Sequence, residues 1–453
     1  MELNGRTVLV VGLARSGVSA ARLLYEMGAQ VLVSDRKSEA DIMDAVNELK
    51  SHTDCEFYLG QDPDHLVDQV DLIVISPGVP ADSPFIVKAA DMGTEVISEV
   101  ELAYRLCKAP IVAVTGTNGK TTTTALIGEI LKAAGITTHV VGNIGIPFSG
   151  KVKEIAQDHM VVAEISSFQL ETIVHFKPRI SLILNITEDH LTRHKTMENY
   201  IAAKCRIFEN QGSEDYLVLN GDDSILTDIN PGNGVKVFYF SRKRILTEGA
   251  WLENGQIIMN TGKGPVVVCP ASQVGIPGAH NLENALAAVV ASGLAGAKPE
   301  IIAKVLHEFP GVEHRIEKVD TINGITFYND SKGTNPDSSI KAVQSMTRPT
   351  ILIAGGMDKH SSFSEFVDSF GDTVKALVLL GETAEKIAKT AREKGFENIY
   401  MSKTLQEAVE KSYELASPGY NVLLSPACAS WDMFKDYEER GRLFKEAVKA
   451  LRR

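Results

Sequence analysis

The chain alternates short apolar runs with amphipathic stretches, a pattern typical of an α/β protein. Within residues 7–35 the apolar run VLVVG leads into a glycine turn, an amphipathic stretch that ends near Glu26, and a second apolar run, VLVSD. Short apolar runs bounded by turn residues predict strands, and apolar positions with a helical period predict a helix. The order therefore predicts a βαβ unit. Two further runs, LIVISPG and TEVIS, continue the pattern as far as about Ser98.

Three apolar runs dominate the middle of the chain, and each ends in polar residues. They are IVAVTG from Ile111, MVVAEISS from Met160 and ISLILNIT from Ile180. Ligands of open parallel sheets bind at the carboxyl ends of the strands. We therefore expect a binding site where these three runs end.

A third alternating series begins after Arg315. The runs TFYND, TILIAGG, ALVLLG and NVLLSPA predict strands, and stretches such as TAEKIAKTAREKG between them predict helices. A chain of 453 residues is too long for one core, and about 150 residues per domain is the usual prior. We therefore predict three α/β domains, at residues 1–98, 99–311 and 312–453.

Composition and charge exclude several classes of protein. The apolar share of 44% and the charged share of 23% are those of an ordinary soluble globular protein. The net charge of -12 argues against nucleic-acid binding, because a phosphate backbone requires a basic face. Because the chain as a whole is acidic, a phosphorylated ligand must be bound by favourable groups within its own site. The five cysteines lack a C-x-x-C pair, which favours reduced thiols in the cytosol and argues against zinc.

The sequence does not predict export or membrane insertion. The N-terminal segment MELNGRTVLVVG passes directly into a strand pattern and does not resemble a signal peptide. The longest apolar run, ALAAVVASGLAGA after Asn284, is shorter than the ~20 residues that a bilayer requires. We expect this run to form a buried helix, and we expect the protein to act in the cytoplasm.

A glycine-rich loop follows the first central strand. It reads TGTNGKTTTT and precedes the amphipathic run ALIGEILKAAG. Gly116 and Gly119 permit close backbone approach, N–H groups at a helix start favour an anion, and Lys120 adds positive charge. A Gly-Lys turn without a ligand is the simpler alternative, but the order strand, loop, Lys-Thr, helix favours binding of a nucleoside triphosphate. The Thr121 hydroxyl can then contact magnesium.

The spacing of this loop departs from the common pattern. G-x-x-x-x-G-K requires a glycine at position 114, which is Val114 here, whereas the first glycine is Gly116. The short form GTNGKT resembles the loop of the Mur ligases, which are ATP-dependent amide-forming enzymes of peptidoglycan synthesis. Segments along the whole chain also resemble motifs of that family, namely GNIGIP, EISSFQLE, NITEDH, AAKCRIF, HNLENALAA and EHRIE.

Two C-terminal segments resemble the family members that add D-glutamate. They are YNDSKGTNPDS from Tyr328 and LLSPACASWDMFKDYEERG from Leu423. The resemblance implies a monomer that joins D-glutamate to UDP-N-acetylmuramoyl-L-alanine through an acyl phosphate, using ATP and two magnesium ions. It also implies a Rossmann-like N-terminal domain for the UDP-sugar, a central P-loop ATPase-like domain with a parallel sheet, and a Rossmann-like C-terminal domain for the amino acid.

The predicted catalytic residues are Lys120, Glu164, His190 and Lys204. Glu164 ends an apolar strand, where a carboxylate is costly to bury unless it holds a cation such as magnesium; a solvated carboxylate is the alternative. The resemblance implies metal binding by Thr121, Glu164 and His190. The pattern alone would make Lys204 a solvated helix lysine, but the resemblance implies that it reacts with carbon dioxide and supports the second magnesium ion as a carbamate.

His190 and His194 are four residues apart, a spacing that zinc sites on helices also use. The segment lacks the H-E-x-x-H order and a third cysteine or histidine nearby, so we do not predict zinc. The resemblance leaves His194 without a role, and we expect it on the surface.

The resemblance implies three sets of binding residues. ATP is expected to contact Gly116, Thr117, Asn118, Gly119, Lys120, Thr121, Thr122, Asn281, Asn284, Arg315 and Asp330. The UDP-sugar is expected to contact Arg15, Ser16, Asp35, Arg36, Ser76, Gly78 and Asn143. D-Glutamate is expected to contact Lys332, Thr334, Lys359, Ser430 and Tyr437. Capping of a helix by Asn281, and plain surface positions for Lys332 and Lys359, are the alternatives.

The first domain carries an imperfect dinucleotide fingerprint. VGLARSG has Ala14 where G-x-G-x-x-G has its middle glycine, and Asp35 ends the second strand. Alone this would suggest NAD, but the methyl group of Ala14 crowds the approach to a pyrophosphate. We favour a UDP-sugar, with an NAD-dependent oxidoreductase as the alternative from another class.

Other ligases remain alternatives within the same class. The L-alanine-adding Mur ligase favours histidine where Asn118 stands, and the diamino-acid-adding ligase has a different first domain and a D-N-P-R type of signature. Folylpolyglutamate synthetase, a more distant relative, lacks the first βαβ domain. None of these resembles the sequence as well as the D-glutamate-adding members do.

Overall fold

The structure is a computed structural model that describes residues 2–143, 145–359 and 361–452. Three β-sheets with flanking helices form two compact units. The first unit comprises the chain as far as Gln273 together with Glu283–His307, and it holds the first two sheets. The second unit comprises Val274–Leu282 and the chain from Glu308 onward, and it holds the third sheet. Ile144, in the GNIGIP segment, lies outside the described residues.

The first sheet is Rossmann-like, as predicted. Its strands are β1 (Thr7–Val11), β2 (Gln30–Asp35), β3 (Glu56–Leu59), β4 (Leu72–Ile75) and β5 (Glu95–Ser98). Its helices are α1 (Arg15–Glu26), α2 (Met43–His52), α3 (Pro84–Met92) and α4 (Glu99–Leu106). All strands are parallel in the order β3-β2-β1-β4-β5. The order reverses between β1 and β4, so the loops after these two strands border one crevice.

The second sheet holds the central strands. Its strands are β6 (Ile111–Thr115), β7 (Thr138–Gly142), β8 (Met160–Glu164), β9 (Ile180–Ile183), β10 (Tyr216–Asn220), β11 (Lys236–Ser241), β12 (Gly249–Glu253), β13 (Gln256–Asn260) and β14 (Val266–Pro270). The helices of this region are α5 (Lys120–Ala133), α6 (Ser167–Leu170), α7 (Leu191–His194), α8 (Met197–Cys205), α9 (Ser224–Thr227), α10 (Ala279–Leu294) and α11 (Pro299–Glu308).

The strand order of the second sheet is β14-β13-β12-β11-β10-β9-β6-β8-β7. β6 lies between β9 and β8 and is parallel to both, so the three apolar runs of the sequence end side by side at one edge. The antiparallel extension from β12 to β14 was not predicted, because its strands are short and their apolar residues do not form a long uninterrupted run.

The third sheet has the order β15-β16-β20-β17-β18-β19. Its strands are β15 (Glu317–Ile322), β16 (Ile325–Asn329), β17 (Thr350–Ala354), β18 (Val374–Leu379), β19 (Ile399–Met401) and β20 (Asn421–Leu424). Its helices are α12 (Pro336–Gln344), α13 (Ser364–Asp368), α14 (Ala384–Glu393), α15 (Leu405–Leu415) and α16 (Tyr437–Ala450). The four predicted strands form the parallel centre. β15 lies at the edge of the sheet and pairs antiparallel with β16. It was not predicted because its sequence mixes polar and apolar residues.

The long apolar run after Asn284 forms part of α10, and Ala285–Ala291 are completely buried. The prediction of a buried helix is therefore confirmed. In the described part of the chain, no helix combines the length and apolar character needed to cross a membrane.

Candidate active site at the edge of the central sheet

The glycine-rich loop connects β6 to α5, as the sequence predicts. Gly119 precedes the helix in a left-handed conformation, with φ 87°, and makes no side-chain cap. A Cβ atom at this position would lie 2.2 Å from Asn284 Oδ1, so both the backbone angle and the close neighbour require glycine. Backbone N–H groups at a helix start form a favourable site for an anion such as phosphate.

Asn185, two residues beyond the end of β9, holds the loop in shape. Its carbonyl oxygen accepts a hydrogen bond from Thr117 N at 2.9 Å, and its Oδ1 accepts one from Asn118 N at 2.8 Å. Its Nδ2 donates to Asn118 O at 3.0 Å. Sequence reasoning recognised NITEDH as a motif but gave Asn185 no role, because the pairing of β6 with β9 is a tertiary feature.

The Lys120 side chain curls back over the loop. Its Nζ donates to Gly116 O at 2.8 Å and to Thr117 O at 2.9 Å. Thr121 is half-buried and Thr122 is buried in the first turn of α5. The positive charge of Lys120 is therefore held where a bound phosphate would meet the helix start.

Glu164 ends β8, the strand next to β6, and only 2% of it is exposed. Its Oε1 accepts a hydrogen bond from Asn143 Nδ2 at 3.1 Å. Its Oε2 is buried and has no hydrogen-bond partner among the described residues. An unpaired buried carboxylate oxygen is costly, and coordination of a divalent cation would remove that cost. The residue therefore fits a magnesium ligand.

Lys204, on α8, is 1% exposed. Its Nζ donates to Gly116 O at 2.9 Å and lies 4.5 Å from the centre of the Tyr200 ring. Burial, and next the charge of Lys120, hold the pKa of the Lys204 amine well below its usual value. The residue is therefore no solvated helix lysine, which was the interpretation that the pattern alone favoured. Tyr200, whose hydroxyl lies 3.1 Å from Thr117 Oγ1, was also missed by sequence reasoning.

His190 stands immediately before α7. Its backbone is left-handed, with φ 55°, which is uncommon for a residue other than glycine. Its side chain is 42% exposed, and Nε2 lies 3.4 Å from Asp189 Oδ2. The ring also contacts the Phe168 ring edge to face, with the centroids 4.9 Å apart.

The prediction that His194 lies on the surface is wrong. The residue is 6% exposed, and its Nε2 lies 3.0 Å from Ser167 Oγ. Its Nδ1 lies 3.5 Å from Glu171 Oε1, and burial lowers the pKa of the imidazole. Residues of α6 and α8 contact His194. The prediction failed because the four-residue spacing of the two histidines is a local pattern, which carries no information about this packing.

The loops of the first sheet converge on Asp35. Its Oδ2 accepts a hydrogen bond from Leu13 N at 2.7 Å, and its Oδ1 accepts one from Lys37 N at 2.9 Å. The end of β2 is thereby tied to the loop after β1. A Cβ atom on Gly17 would lie 1.8 Å from Gly12 O, so the last glycine of the imperfect fingerprint permits close packing of helix and strand.

The remaining residues predicted for the UDP-sugar lie around the same loops. Ser76 Oγ donates to Gly12 O at 2.7 Å, and Ser16 Oγ lies 3.4 Å from Ser76 Oγ. Gly78 has open space where a side chain would stand. Arg36 forms an exposed ion pair with Asp62 at 2.5 Å, and Arg15 is the exposed first residue of α1.

Asn284 and Asn281 lie in the first turns of α10. Asn284 is buried, and its Oδ1 lies 3.4 Å from Thr123 Oγ1 beside the phosphate loop. Asn281 is the third residue of the helix, and its Nδ2 donates to Pro277 O at 2.7 Å. Asn281 is thus inside the helix, and the capping alternative is not the observed arrangement.

In the second unit, the half-buried Arg315 forms an ion pair with Asp330. Asp330 is fully buried, and its Oδ1 lies 3.6 Å from Arg315 Nη1. Burial raises the pKa of the Asp330 carboxyl to about 6, although Arg315 and a hydrogen bond from Ser425 Oγ at 2.7 Å act in the opposite direction. Arg315 Nη1 also donates to Ser338 Oγ at 2.8 Å.

Four of the residues predicted for D-glutamate lie on the loops that follow β16, β17 and β20, and the fifth, Tyr437, is the first residue of α16. Lys332 Nζ lies 5.5 Å from the centre of the Tyr437 ring, and Lys359 Nζ lies 5.6 Å from the Trp431 ring. Ser430 is buried and Thr334 is half-buried.

Arg440, on α16, joins two of these loops and was not predicted. Its Nε donates to Ser331 Oγ at 3.0 Å and its Nη2 to Ser331 O at 2.8 Å. Its Nη1 and Nη2 each donate to Cys428 O at 3.2 Å. Burial lowers the pKa of this guanidinium to about 10, which leaves it charged at neutral pH. The ERG tripeptide at its position carries no signal of burial.

Three domain models of known families match the chain. The Mur ligase MurD-like N-terminal domain matches residues 6–98, the Mur ligase middle domain residues 114–292, and the Mur ligase glutamate ligase domain residues 314–428.

Curated relatives match over their whole length. A UDP-N-acetylmuramoylalanine--D-glutamate ligase of Thermoanaerobacter sp. (strain X514) is 51% identical over 455 residues, which is 100% of both chains. The protein of the same name from Clostridioides difficile (strain 630) is 49% identical over 453 residues, again 100% of both.

Solved structures show the same fold at low sequence identity. The alanine ligase MurC of Thermotoga maritima superposes with a TM-score of 0.62 at 20% identity, covering 98% of this chain and 100% of the other. MurF of Acinetobacter baumannii superposes with a TM-score of 0.63 at 17% identity, covering 97% and 93%. At this identity the likeness concerns the fold alone.

Proposed function

The chain belongs to the Mur ligase family, and we propose that it joins D-glutamate to UDP-N-acetylmuramoyl-L-alanine in peptidoglycan precursor synthesis. The observation that carries this proposal is the identity of about half of all residues, over the full length, with ligases named for this reaction. The arrangement of the central sheet edge supports it.

The reaction requires two anions to meet. ATP transfers its terminal phosphoryl group to the alanyl carboxylate, which forms an acyl phosphate and ADP. The amino group of D-glutamate then attacks the acyl carbon, an amide bond forms and phosphate leaves. Because carboxylate and triphosphate repel each other, the site must supply fixed positive charge and N–H groups. The loop of Gly116–Gly119, the start of α5 and Lys120 supply both.

Magnesium would shield the charges of the two anions from each other. We propose Thr121, Glu164, His190 and Lys204 as the residues that hold two such ions. An unmodified Lys204 ammonium ~4 Å from a divalent ion would be repelled by about 8 kcal/mol at an effective dielectric constant near 20. A lowered pKa increases the fraction of neutral amine, and this form has the nitrogen lone pair that can attack carbon dioxide, after which a proton is lost. The resulting carbamate is an anion that suits a cation.

The other roles are carried over by resemblance. We propose that ATP contacts the remaining loop residues together with Asn281, Asn284, Arg315 and Asp330. We propose that the UDP-sugar binds at the loops of the first sheet and Asn143, and that D-glutamate binds at Lys332, Thr334, Lys359, Ser430 and Tyr437. The three domains would then span residues 1–98, 99–311 and 312–453. We further propose that the protein acts as a monomer in the cytoplasm.

A substrate comparison tests the function. Purified protein is incubated with ATP, magnesium and UDP-N-acetylmuramoyl-L-alanine, and phosphate release is compared for D-glutamate, L-glutamate, L-alanine and diaminopimelate. We expect release with D-glutamate alone, and we expect the Lys120→Ala variant to lose it. Release with another amino acid would assign a different specificity. Absence of release with all four, together with turnover of a nicotinamide cofactor, would contradict the ligase proposal.

A further inference from the structure

The short helix α7 is anchored on both sides by buried polar contacts. His194, its last residue, shares a hydrogen bond of 3.0 Å with Ser167 Oγ on α6. α6 begins three residues beyond Glu164. His194 therefore ties the segment that follows His190 to the segment that follows Glu164.

An aromatic stack continues this connection. The His194 ring stacks on the Phe168 ring with centroids 5.5 Å apart and an interplanar angle of 29°. The His194 ring also contacts the Tyr200 ring, with the centroids 5.2 Å apart. Phe168 also contacts His190, and Tyr200 reaches Thr117 of the phosphate loop. The His194 ring thus contacts α6 and α8 directly, and through Phe168 and Tyr200 it is connected to His190 and to the phosphate loop.

The neighbouring Arg193 supplies a second anchor. Its Nη2 donates to Glu171 Oε2 at 2.5 Å and to Val79 O at 2.8 Å. Val79 directly follows the Ser76–Gly78 segment of the first sheet. Glu171 also lies 3.5 Å from His194 Nδ1, so both anchors share one carboxylate.

The backbone around α7 needs such anchors. His190 and Lys195, which flank the four-residue helix, both have positive φ angles, 55° and 70°. Such conformations cost free energy in residues other than glycine and persist where the surroundings enforce them. The His190 side chain is 42% exposed, and its ring contacts Phe168, so the backbone of α7 and the Phe168 ring both help to set its position.

We propose that His194 is a positioning residue that holds His190 in register with Glu164, so that both side chains can bind divalent cations together. This inference rests on the proposed function, because it concerns the metal site of that reaction. His194 touches neither cation nor substrate in this proposal. It acts through Ser167 and the two rings.

The competing interpretation is a histidine that only fills the core. That role would change thermal stability when the residue is replaced, but it would leave cation binding in the folded protein unchanged. Binding of cations to folded variants therefore separates the two interpretations, and it does not depend on turnover.

The test uses three variants of the full chain. His194→Phe retains the stacked ring and removes the hydrogen bonds, His194→Gln retains hydrogen-bonding groups and removes the ring, and Ser167→Ala removes one partner only. His175→Ala, at an exposed histidine of the same region, is the matched control. Binding of Mn²⁺ in the presence of ADP is followed by electron paramagnetic resonance, and circular dichroism verifies folding.

We expect His194→Phe to bind one Mn²⁺ ion about 10- to 100-fold more weakly, the range for residues that orient metal ligands. We expect a fall in kcat without a change in KM for D-glutamate. Ser167→Ala should weaken binding less, and the His194→Phe/Ser167→Ala double variant should resemble His194→Phe alone, because the two residues act as one unit. His194→Gln should restore part of the affinity, and His175→Ala should match the unmodified protein.

Unchanged Mn²⁺ affinity in Ser167→Ala and in whichever His194 variants fold, with only a lower melting temperature, would overturn the inference. Additive effects of the two substitutions would also overturn it. The unmodified protein is assayed in parallel. If it fails to release phosphate with D-glutamate, the proposed function fails; if it is active and the variants bind Mn²⁺ normally, only this inference fails.

Discussion

The edge of the central sheet and the loops of the third sheet hold their charged residues in opposite ways. At the central edge, Glu164 and Lys204 are almost completely buried and have few polar partners. In the loops of the third sheet, Lys332 is half-buried and Lys359 is exposed, and each lies over an aromatic ring. The first arrangement removes the charged groups from water, whereas the second keeps the lysines in contact with both solvent and an aromatic face.

This difference matches what each region would have to do. A lowered pKa increases the fraction of neutral amine, which is the form that can be modified. A lysine in contact with solvent can meet an anionic amino acid as it arrives. The aromatic face beneath the lysine restricts its side chain. The central edge should therefore tolerate replacement much less than the loops of the third sheet.

The largest expected effect is at Lys204. Lys204→Ala should lower kcat about 100- to 1000-fold, the range for removal of one preorganised electrostatic group, because the proposed carbamate cannot form in this variant. Added short carboxylates such as acetate should restore part of the activity, which phosphate release measures. Lys132→Ala, at an exposed position of α5, is the control. Full activity of Lys204→Ala without added carboxylate would contradict the expectation that the central edge tolerates replacement less than the loops of the third sheet.

A smaller effect is expected at Arg440, the buried residue of the third-sheet loops. Arg440→Met should lower kcat/KM for D-glutamate about 10- to 100-fold. The variant removes the hydrogen bonds that Arg440 donates to both loops, and a hydrogen bond from a charged group contributes about 1.5–3 kcal/mol. The KM for ATP should change less. Steady-state kinetics with each substrate varied in turn measure this. Arg442→Met, on the exposed face of α16, should match the unmodified protein; equal loss in both variants would contradict a positioning effect.

A still smaller effect is expected at Trp431. Trp431→Ala should raise the KM for D-glutamate about two- to five-fold, since an exposed cation–π contact contributes about 0.5–1 kcal/mol. Trp431→Phe should retain most of the affinity because it keeps an aromatic face below Lys359. Kinetics at fixed saturating ATP measure both. A loss as large as that of Lys204→Ala would show that the exposed region is no more tolerant than the buried one.

The smallest effect concerns stability at Glu99, a buried carboxyl outside both regions. Its Oε1 accepts a hydrogen bond from Ser149 N at 2.6 Å, and burial raises its pKa. Its contribution to stability is present below the unfolded pKa of about 4.3 and is lost as pH rises through the raised folded pKa. Glu99→Gln cannot ionise, so its stability relative to the unmodified protein should increase over that pH range.

Urea unfolding at several pH values above 4 measures this change. Glu48→Gln, at an exposed position of α2, should show no such trend. A stability difference between Glu99→Gln and the unmodified protein that does not vary with pH would contradict burial as the cause.

The central loop could be predicted because its information is local. Glycines at 116 and 119, a following Lys-Thr pair and the flanking strand and helix are adjacent in sequence, and the structure places them as expected. His194 could not be predicted in the same way. Its environment includes Ser167 on α6, Glu171 just after α6, and Tyr200 on α8, which lie outside the two histidines' local pattern.

By itself the sequence determined the three alternating series of strands and helices, the polar residues at the ends of the three central strands, and the residue types available for phosphate and metal chemistry. These follow from apolar periodicity and from turn residues, which act over a few neighbouring positions. Only the tertiary structure decided that Lys204 and Glu164 lie in the interior. It also decided that Asn185 supports the phosphate loop and that Arg440 links the loops after β16 and β20. Burial and hydrogen bonding depend on which distant segments pack together, and that packing alters the pKa and the reactivity of a side chain without changing its identity.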